Sequence, residues 1–447
     1  MKKILAISSI LTVFILSAAA QITTARLDEI MTAFTALEKF NGSVLVAKKG
    51  QVLLEKGYGW KNIKDSTRND DKTIYQIGSV TKQFTSAIIM KLVEQKKLAV
   101  THKLSKYYPD YPKGDSITIH NLLTHTSGIY NYTNDGKFMN SEIAKPQTEQ
   151  KMISLFRDRP LDFSPGSKYS YSNSGYSLLG YIIVKVTGKS WEQNMRELIL
   201  TPLRMQHSGF NFTSLKSPDK ATGYFFLGAK GNQPAPIVDS TVAYSAGSLY
   251  STVGDLYRWE RSIYTNKILT ADSWKKTFTP FLSKYAYGWS IDTLFDRNTT
   301  AHSGGIHGFN SYLLRFPEEE LVVILIANKP TPAMNAISHT LAAASLNLPY
   351  EVPKEKVATT ISDEKLATYV GTYQMDEGLE VFVELENHQL KSKISGQKFF
   401  DLFPEKEDRF FLKVVEATVE FVKGTDGKVN ALIINQNGRS TTAKKIK

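Results

Sequence analysis

The spacing of apolar residues along the first part of the chain alternates between the period of a helix and that of a strand. Helices are expected where apolar residues recur every three or four positions, and strands where short apolar runs are bounded by turn residues. Helices are predicted from Thr24 to about Phe40, from Ser79 onwards, from Ser174 to Thr187 and from about Met334 to Leu346. The predicted strands are Ser43–Ala47, Gln51–Lys56, Tyr285–Ile291, Ser311–Phe316 and Leu321–Ala327. This mixture predicts an α/β (α+β) architecture for residues 21–348.

The pattern changes after Leu348. A proline-containing stretch follows and predicts a linker at residues 349–358. Beyond it the apolar residues alternate over short segments separated by turns such as Asp426-Gly427, which is typical of strands. Residues 359–447 are therefore predicted to form a small all-β domain, a sandwich or a barrel.

The first twenty residues have the pattern of an export signal. Lys2 and Lys3 precede a short apolar stretch from Ile4 to Leu16, and small residues lead to a cleavage position after Ala20. The stretch is shorter than the roughly 20 residues that span a bilayer, and no other segment reaches that length. We expect residues 1–20 to be a cleaved signal peptide, the protein to be periplasmic or secreted, and the mature chain to have no stable membrane span.

Composition excludes several classes of protein. The 447 residues contain no cysteine, so there is no disulfide framework, thiolate metal site or cysteine nucleophile. The net charge is +12, but the basic residues occur in short runs such as Lys48-Lys49, without the interleaved aromatics that stack on bases. We therefore expect no nucleic-acid partner.

Other catalytic and cofactor motifs fail on inspection. No G-x-S-x-G nucleophile elbow occurs. Gly188-Lys189-Ser190 resembles the end of a P-loop, but Ile183 stands where that motif requires glycine. His302 and His307 lie five residues apart with no third ligand nearby in the sequence, so neither a metal nor a cofactor is expected.

Ser-x-x-Lys occurs five times, but only one instance has a chemically useful setting. Ser79 follows a glycine and opens a long apolar helix, so Lys82 lies one turn later on the same face as the Ser79 hydroxyl. The start of a helix offers free N–H groups and a positive dipole end to a developing oxyanion. Lys82 could act as a base for Ser79 if burial lowers its pKa from about 10.4 towards neutrality.

Three motifs in order give the chain a family resemblance. They are Ser79-Val80-Thr81-Lys82, Tyr171-Ser172-Asn173 and His302-Ser303-Gly304, supported by the stretches at residues 122–128 and 246–252. Over about residues 25–348 the chain resembles the serine β-lactamase and penicillin-binding-protein superfamily. It is nearest to the branch that includes class C β-lactamases, D-aminopeptidases and esterase-like proteins.

The resemblance implies a role for each motif residue. Ser79 would be the acylated nucleophile and Lys82 the base that activates it. Tyr171 would pass the proton to the leaving group and then activate water, and Asn173 would hold Lys82 and the substrate amide. The oxyanion hole would be formed by the backbone N–H groups of Ser79 and Gly305.

Two alternatives remain beside these roles. Asn173 could cap the helix predicted from Ser174, either alone or in addition to its role beside Lys82. His125, in the first supporting stretch, is interpreted as structural rather than catalytic.

The third motif departs from the β-lactamase pattern. His302-Ser303-Gly304 stands where the lactamases have Lys-Thr-Gly, so a titratable residue replaces a fixed positive charge. With a pKa near 6.5, His302 would lose that charge at pH 7 and bind anionic substrates better below about pH 6.5. The substitution argues against strong β-lactamase activity but not against acyl transfer.

The resemblance implies a catalytic domain with an antiparallel sheet flanked by helices, a largely helical second lobe, and a cleft between them where Ser79, Tyr171 and His302 meet. The implied reaction is hydrolysis of an amide or ester through a serine acyl-enzyme. Candidate partners are D-amino-acid peptides, possible peptidoglycan fragments among them, small esters and β-lactams. The alternative is a non-catalytic sensor that binds peptidoglycan or β-lactams on the same scaffold.

Overall fold

A computed structural model describes residues 23–229, 231–376, 378–415, 417–436 and 439–447. The predicted signal peptide lies outside these residues. None of the helices in the described ranges has the length and hydrophobicity of a bilayer-spanning segment.

The first part of the chain contains strands and helices in alternation. Its strands are β1 (Gly42–Lys48), β2 (Gln51–Tyr58), β3 (Trp60–Asn62), β4 (Thr67–Arg68), β5 (Tyr75–Gln76), β6 (Tyr224–Gly228), β7 (Gly231–Pro234), β8 (Tyr250–Ser251), β9 (Ser290–Leu294), β10 (Arg297–Ile306), β11 (Phe309–Phe316) and β12 (Leu321–Ala327). Its helices are α1 (Thr24–Ala36), α2 (Thr81–Glu94), α3 (Ile119–Leu123), α4 (Gly136–Ser141), α5 (Glu149–Ser154), α6 (Asn173–Thr187), α7 (Trp191–Met195), α8 (Thr201–Leu203), α9 (Ser240–Gly247), α10 (Val253–Tyr264), α11 (Ala271–Thr277) and α12 (Met334–Ser345).

A six-stranded antiparallel sheet forms the centre of this part, in the order β2-β1-β12-β11-β10-β9. Both faces of its middle strands are buried, because alternate residues of β1 and β12 belong to two different hydrophobic clusters. Leu45 and Ile324 pair in register and face the cluster that contains α2 and α6. Val44 and Val323 face the cluster that contains α1 and α12. The result is an antiparallel sheet between two helical layers, as predicted.

A buried ion pair lies beside this sheet. Arg315 of β11 and Glu260 of α10 are 2% and 1% exposed, and Arg315 Nε lies 3.1 Å from Glu260 Oε1. Arg315 also donates to the Thr300 hydroxyl across the β10–β11 pair. A buried charge needs such a partner, so this pair fixes α10 against the sheet.

The strand predicted at Tyr285–Ile291 is wrong over most of its length. The strand begins only at Ser290, because residues 285–289 form a tight turn in which the Ala286 N–H donates to the Trp289 carbonyl. Gly288 has φ +78° in this turn, and a Cβ there would lie 2.8 Å from the carbonyl oxygen of Lys82. Close packing on α2, rather than local propensity, decides the conformation of this segment.

Residues 348–362 form neither helix nor strand, and an all-β unit follows after the short helix α13 (Asp363–Ala367). Its strands are β13 (Gly371–Met375), β14 (Glu380–Glu386), β15 (Gln389–Ile394), β16 (Phe400–Asp401), β17 (Phe403–Lys406), β18 (Arg409–Phe411), β19 (Ala417–Lys423), β20 (Val429–Gln436) and β21 (Arg439–Lys445). They form one antiparallel sheet in the order β16-β15-β14-β13-β21-β20-β19-β18-β17.

This nine-stranded sheet is a nearly closed barrel. Its two edge strands, β16 and β17, are consecutive in the chain and are separated only by Leu402, which is fully buried. The interior is filled by aromatic and aliphatic side chains, among them Tyr369, Tyr373 and Phe421. Of the two architectures predicted for the C-terminal region, the structure is the barrel.

Candidate active site

Ser79 and Lys82 lie where the chain passes from β5 into α2. A single 3₁₀ turn, Gly78–Val80, leads directly into α2, so the three-residue spacing brings the Lys82 side chain back to the serine. Lys82 Nζ is 3.0 Å from Ser79 Oγ. Gly78 has φ +51°, a conformation that suits glycine and allows the sharp entry into this turn.

Lys82 is fully buried, and two further groups contact its amine. Nζ lies 2.8 Å from Asn173 Oδ1 and 2.7 Å from the Ala246 carbonyl oxygen. Burial lowers the pKa of Lys82 well below its ordinary value, because the low-dielectric interior disfavours the ammonium form. A neutral amine has two N–H donors and one lone pair. In the neutral form that burial favours, the two donors go to Asn173 and Ala246, whose oxygens can only accept, and the lone pair is left for the Ser79 hydroxyl.

Asn173 and Tyr171 are brought to the same place by the start of α6. This helix begins at Asn173 itself and Ser172 occupies the cap position, so the alternative prediction of Asn173 as the helix cap is wrong. The Asn173 side chain instead links Lys82 to the loop before α4, since its Nδ2 lies 3.4 Å from Asn131 Oδ1 and 3.3 Å from Thr133 Oγ1. These bonds fix the amide so that its oxygen faces Lys82.

Tyr171 contacts both members of the serine–lysine pair. Its hydroxyl lies beside the Ser79 side chain, and its ring centre lies 4.8 Å from Lys82 Nζ. Burial raises the pKa of Tyr171 well above its ordinary value, and the interaction with Ser79 offsets only part of this effect. Tyr171 is therefore a neutral phenol at pH 7. Of the two groups beside the Ser79 hydroxyl, Lys82 is the one that can accept its proton.

His125 supports Tyr171. The two rings lie 4.2 Å apart between centroids, and His125 Nδ1 accepts a hydrogen bond from the backbone N–H of Ser172. Burial and the nearby Lys82 hold the pKa of His125 well below its ordinary range, so the imidazole is neutral. These contacts hold the second motif in position.

His302 lies on β10 behind this cluster and is 5% exposed. Its Nδ1 lies 2.6 Å from the Ser303 carbonyl oxygen, which can only accept, so Nδ1 carries the proton. Nε2 then accepts from the Tyr285 hydroxyl at 2.8 Å. Both ring nitrogens are thus occupied by the protein itself.

These contacts overturn the predicted titration of His302 near pH 6.5. Burial is the main cause that lowers the pKa of His302 to about 3, so the ring is neutral throughout the physiological range. The expected gain in anion binding below pH 6.5 rested on a solvated imidazole. No sequence pattern identified Tyr285, whose hydroxyl occupies the outer nitrogen of His302 and excludes water from it.

The glycines after His302 allow β10 to pack directly on the serine turn. A Cβ at Gly304 would lie 2.1 Å from the Ile77 carbonyl oxygen, so only glycine fits there. Gly305 is exposed, and its backbone nitrogen would lie only 2.8 Å from a Cβ on Gly78. This approach brings the backbones of Ser79 and Gly305 together, as an oxyanion hole requires. Ser303 presents its side chain to solvent.

A cavity of about 400 Å³ opens at this point. Of the predicted site residues, Ser79, Asn173 and Gly305 line it directly. Its other walls come from α9, from the β10–β11 turn and from the hairpin β6–β7. Its volume is within the range of small-molecule sites.

Sequence reasoning assigned no role to two residues of this cluster. Ala246 belongs to a stretch that supported the resemblance, and its carbonyl holds the Lys82 amine. Tyr285 fell within a segment interpreted as a strand, and no local signal marked its hydroxyl as the partner of His302.

Comparison with known proteins matches the two parts of the chain separately. A family model described as Beta-lactamase matches residues 27–348, and one described as a domain of unknown function, DUF3471, matches residues 355–445.

Individual relatives match over most of the chain. Penicillin-binding protein 4* of Bacillus subtilis is 27% identical over 92% of this chain and 96% of its own length. A putative penicillin-binding protein of the same organism, PbpX, is 32% identical over 65% of this chain and 71% of its own length.

Solved structures share the fold. The octameric penicillin-binding protein homologue from Pyrococcus abyssi superimposes with a TM-score of 0.68 and 26% identity, over 94% of this chain and 99% of that one. D-amino acid amidase from Ochrobactrum anthropi superimposes with a TM-score of 0.64 and 22% identity, over 72% of this chain and 97% of that one. At that identity the second match concerns the fold alone.

Proposed function

Because the chain belongs to the Beta-lactamase family, as its three motifs predicted, we propose that it is a serine hydrolase. It hydrolyses an ester or amide through an acyl-enzyme on Ser79. The observation that carries the proposal is the contact between Ser79 Oγ and the buried amine of Lys82, at 3.0 Å. A serine hydroxyl is a weak nucleophile unless an adjacent base accepts its proton.

In the first half of the reaction, Ser79 Oγ attacks the carbonyl carbon of the substrate while its proton passes to Lys82. The negative charge that develops on the carbonyl oxygen is stabilised by the backbone N–H groups of Ser79 and Gly305. As the tetrahedral intermediate collapses, the carbonyl–heteroatom bond breaks. The leaving group takes up the proton through Tyr171, which contacts both Ser79 and Lys82.

In the second half, water attacks the Ser79 ester. Its proton passes through the same two groups back to Ser79 Oγ, and the carboxylic acid product leaves. Asn173 and Ala246 keep the Lys82 amine oriented throughout, because both accept from its N–H groups. No metal or cofactor enters either half of this scheme.

The substrate classes considered are D-amino-acid peptides, small esters and β-lactams. The names of the relatives, which are penicillin-binding proteins, support reaction with compounds of this kind. The replacement of a lysine by the neutral His302 speaks against β-lactams as the main substrate, since their carboxylate would find no fixed positive charge there. We further propose that residues 1–20 direct export, so that the enzyme acts outside the cytoplasm.

A fluorophosphonate probe followed by peptide mass spectrometry tests the proposal. The adduct is expected on the peptide that contains Ser79, and Ser79→Ala should abolish both labelling and hydrolysis of p-nitrophenyl acetate. Ser217→Ala is the matched control, because Ser217 begins another Ser-x-x-Lys sequence.

Labelling at another serine would overturn the assignment. Labelling of Ser79 without turnover of any ester, D-alanyl peptide or chromogenic cephalosporin would favour the sensor.

A further inference from the structure

The hairpin β6–β7 forms one wall of the cavity beside Ser79. Tyr224 pairs with Pro234 and Phe226 with Gln233, so Phe225 is an extra residue in a β-bulge. Bulges re-aim side chains, and this one turns the Phe225 ring into the cavity. There it meets His307 edge to face, at 5.3 Å between ring centroids.

The hairpin is held in this position from its far end. The Ala229 N–H donates to Glu38 Oε1 at 2.6 Å, and Lys329 Nζ donates to the Leu227 carbonyl at 3.0 Å. At its base, the Tyr224 N–H donates to the Asn328 carbonyl. Phe225 therefore faces the cavity on an anchored element.

The cavity walls around Phe225 are apolar. Met139, Val238, Val242, Phe309 and Pro330 line it, and none of the lining residues within the described ranges is Asp, Glu, Lys or Arg. His307 is the one lining residue that can titrate near neutral pH, and burial lowers its pKa. A carboxylate or ammonium group in this cavity would lose hydration without gaining a counter-charge.

The position of the cavity assigns it to one side of the scissile bond. The carbonyl carbon must lie at Ser79 Oγ with its oxygen towards Gly305, and the cavity begins at these two residues. The leaving group must lie beside Tyr171, which delivers its proton and is not among the residues that line the cavity, so the acyl group is the part of the substrate that extends into it.

Resting on the acyl-enzyme function above, we propose that the cavity is an acyl-group site for an uncharged, apolar substituent, with Phe225 and His307 as its specificity-determining wall. The substrate class is an ester or amide of an aromatic or medium-chain carboxylic acid, or of an N-acylated amino acid. Acyl groups with a free ammonium or carboxylate are excluded.

The test uses p-nitrophenyl esters, which share one leaving group and differ only in the acyl part. The neutral 3-phenylpropanoyl and hexanoyl esters are compared with the acetyl ester, the 3-ammoniopropanoyl ester and the hemisuccinate. We expect kcat/KM for the large neutral esters to exceed that of the acetyl ester about 10-fold or more, and that of each charged ester about 100-fold.

Two neighbouring phenylalanines supply a matched pair of variants. Phe225 and Phe226 are 42% and 44% exposed, but only Phe225 lines the cavity. Phe225→Ala should lower the 3-phenylpropanoyl-to-acetyl ratio about 10-fold, and Phe226→Ala should leave it within 2-fold. Phe225→Leu should retain most of the ratio. His307→Asp should raise kcat/KM for the ammonium ester relative to the neutral ester about 10-fold.

The outcomes separate this inference from the function on which it rests. If no ester is hydrolysed and Ser79 is not labelled, the proposed function fails. If Ser79-dependent hydrolysis shows no preference for large neutral acyl groups, or if Phe225→Ala and Phe226→Ala have the same effect, the function stands and the acyl-site proposal is overturned.

Discussion

Replacing Lys82 and Tyr171 singly and together tests whether they act as one proton-transfer unit. Both groups contact the Ser79 hydroxyl, and Lys82 Nζ lies 4.8 Å from the Tyr171 ring centre. In the proposed scheme a proton that leaves Ser79 for Lys82 reaches the leaving group through the Tyr171 hydroxyl. Losing either member should therefore interrupt the same path.

The expected magnitude follows from this shared path. Removing a positioned acid–base group costs about 10²–10⁴ in rate, so Lys82→Ala and Tyr171→Phe should each lower kcat/KM about 10³-fold. Independent groups would give about 10⁶ in the double variant, whereas one unit gives about 10³. The ratio of these two expected losses, about 10³, corresponds to a coupling energy of about 4 kcal/mol between the two residues.

The assay is kcat/KM for p-nitrophenyl acetate, together with the rate of labelling by a fluorophosphonate, which isolates acylation. Tyr130→Phe and Lys185→Ala are controls. The Tyr130 ring lies under the Arg159 guanidinium, and Lys185 lies at the far end of α6 from Asn173. Strictly multiplicative losses in the double variant would refute the shared path.

Three further predictions concern stability and pH. The pKa of His302 is about 3 in the folded chain and near 6.5 in the unfolded one. Between these pH values only the unfolded chain binds the proton, so lowering the pH from 7 to 5 should remove about 2 kcal/mol of stability through this residue. Urea unfolding of His302→Gln should lack this pH-dependent part of the free energy of unfolding. The wild-type ratio of kcat/KM for anionic and neutral esters should stay flat from pH 5 to 8, and a change in that ratio near pH 6.5 would contradict the buried, neutral ring. Gly304→Ala should lower the free energy of unfolding by about 3 kcal/mol or more, because its Cβ would lie 2.1 Å from a carbonyl oxygen. Gly305→Ala should unfold like the wild type, because its Cβ would meet no atom closer than 3.6 Å. Glu260→Gln should cost about 3–5 kcal/mol because it leaves a buried arginine uncompensated, and Glu192→Gln, in an exposed ion pair, should cost under about 1 kcal/mol in the same measurement.

The sequence alone determined the elements whose signal is local. The periodic helices and the apolar run Leu321–Ala327 occur within a few residues of their predicted bounds. The placement of Lys82 beside Ser79 was also predictable, because residues three positions apart on a helix lie on the same face. The order of the three motifs was sufficient to identify the family.

Contacts between distant segments decided the rest. Ala246 and Asn173 orient the Lys82 amine from positions 164 and 91 residues away in the chain, and Tyr285 occupies the outer nitrogen of His302. The bulge that turns Phe225 into the cavity depends on its pairing with β7. Sequence patterns report which residues share a face of one element, but the pKa of a buried group depends on which segments exclude water from it. For this reason the residue types of the site were predictable, whereas the neutral state of His302 required the tertiary structure.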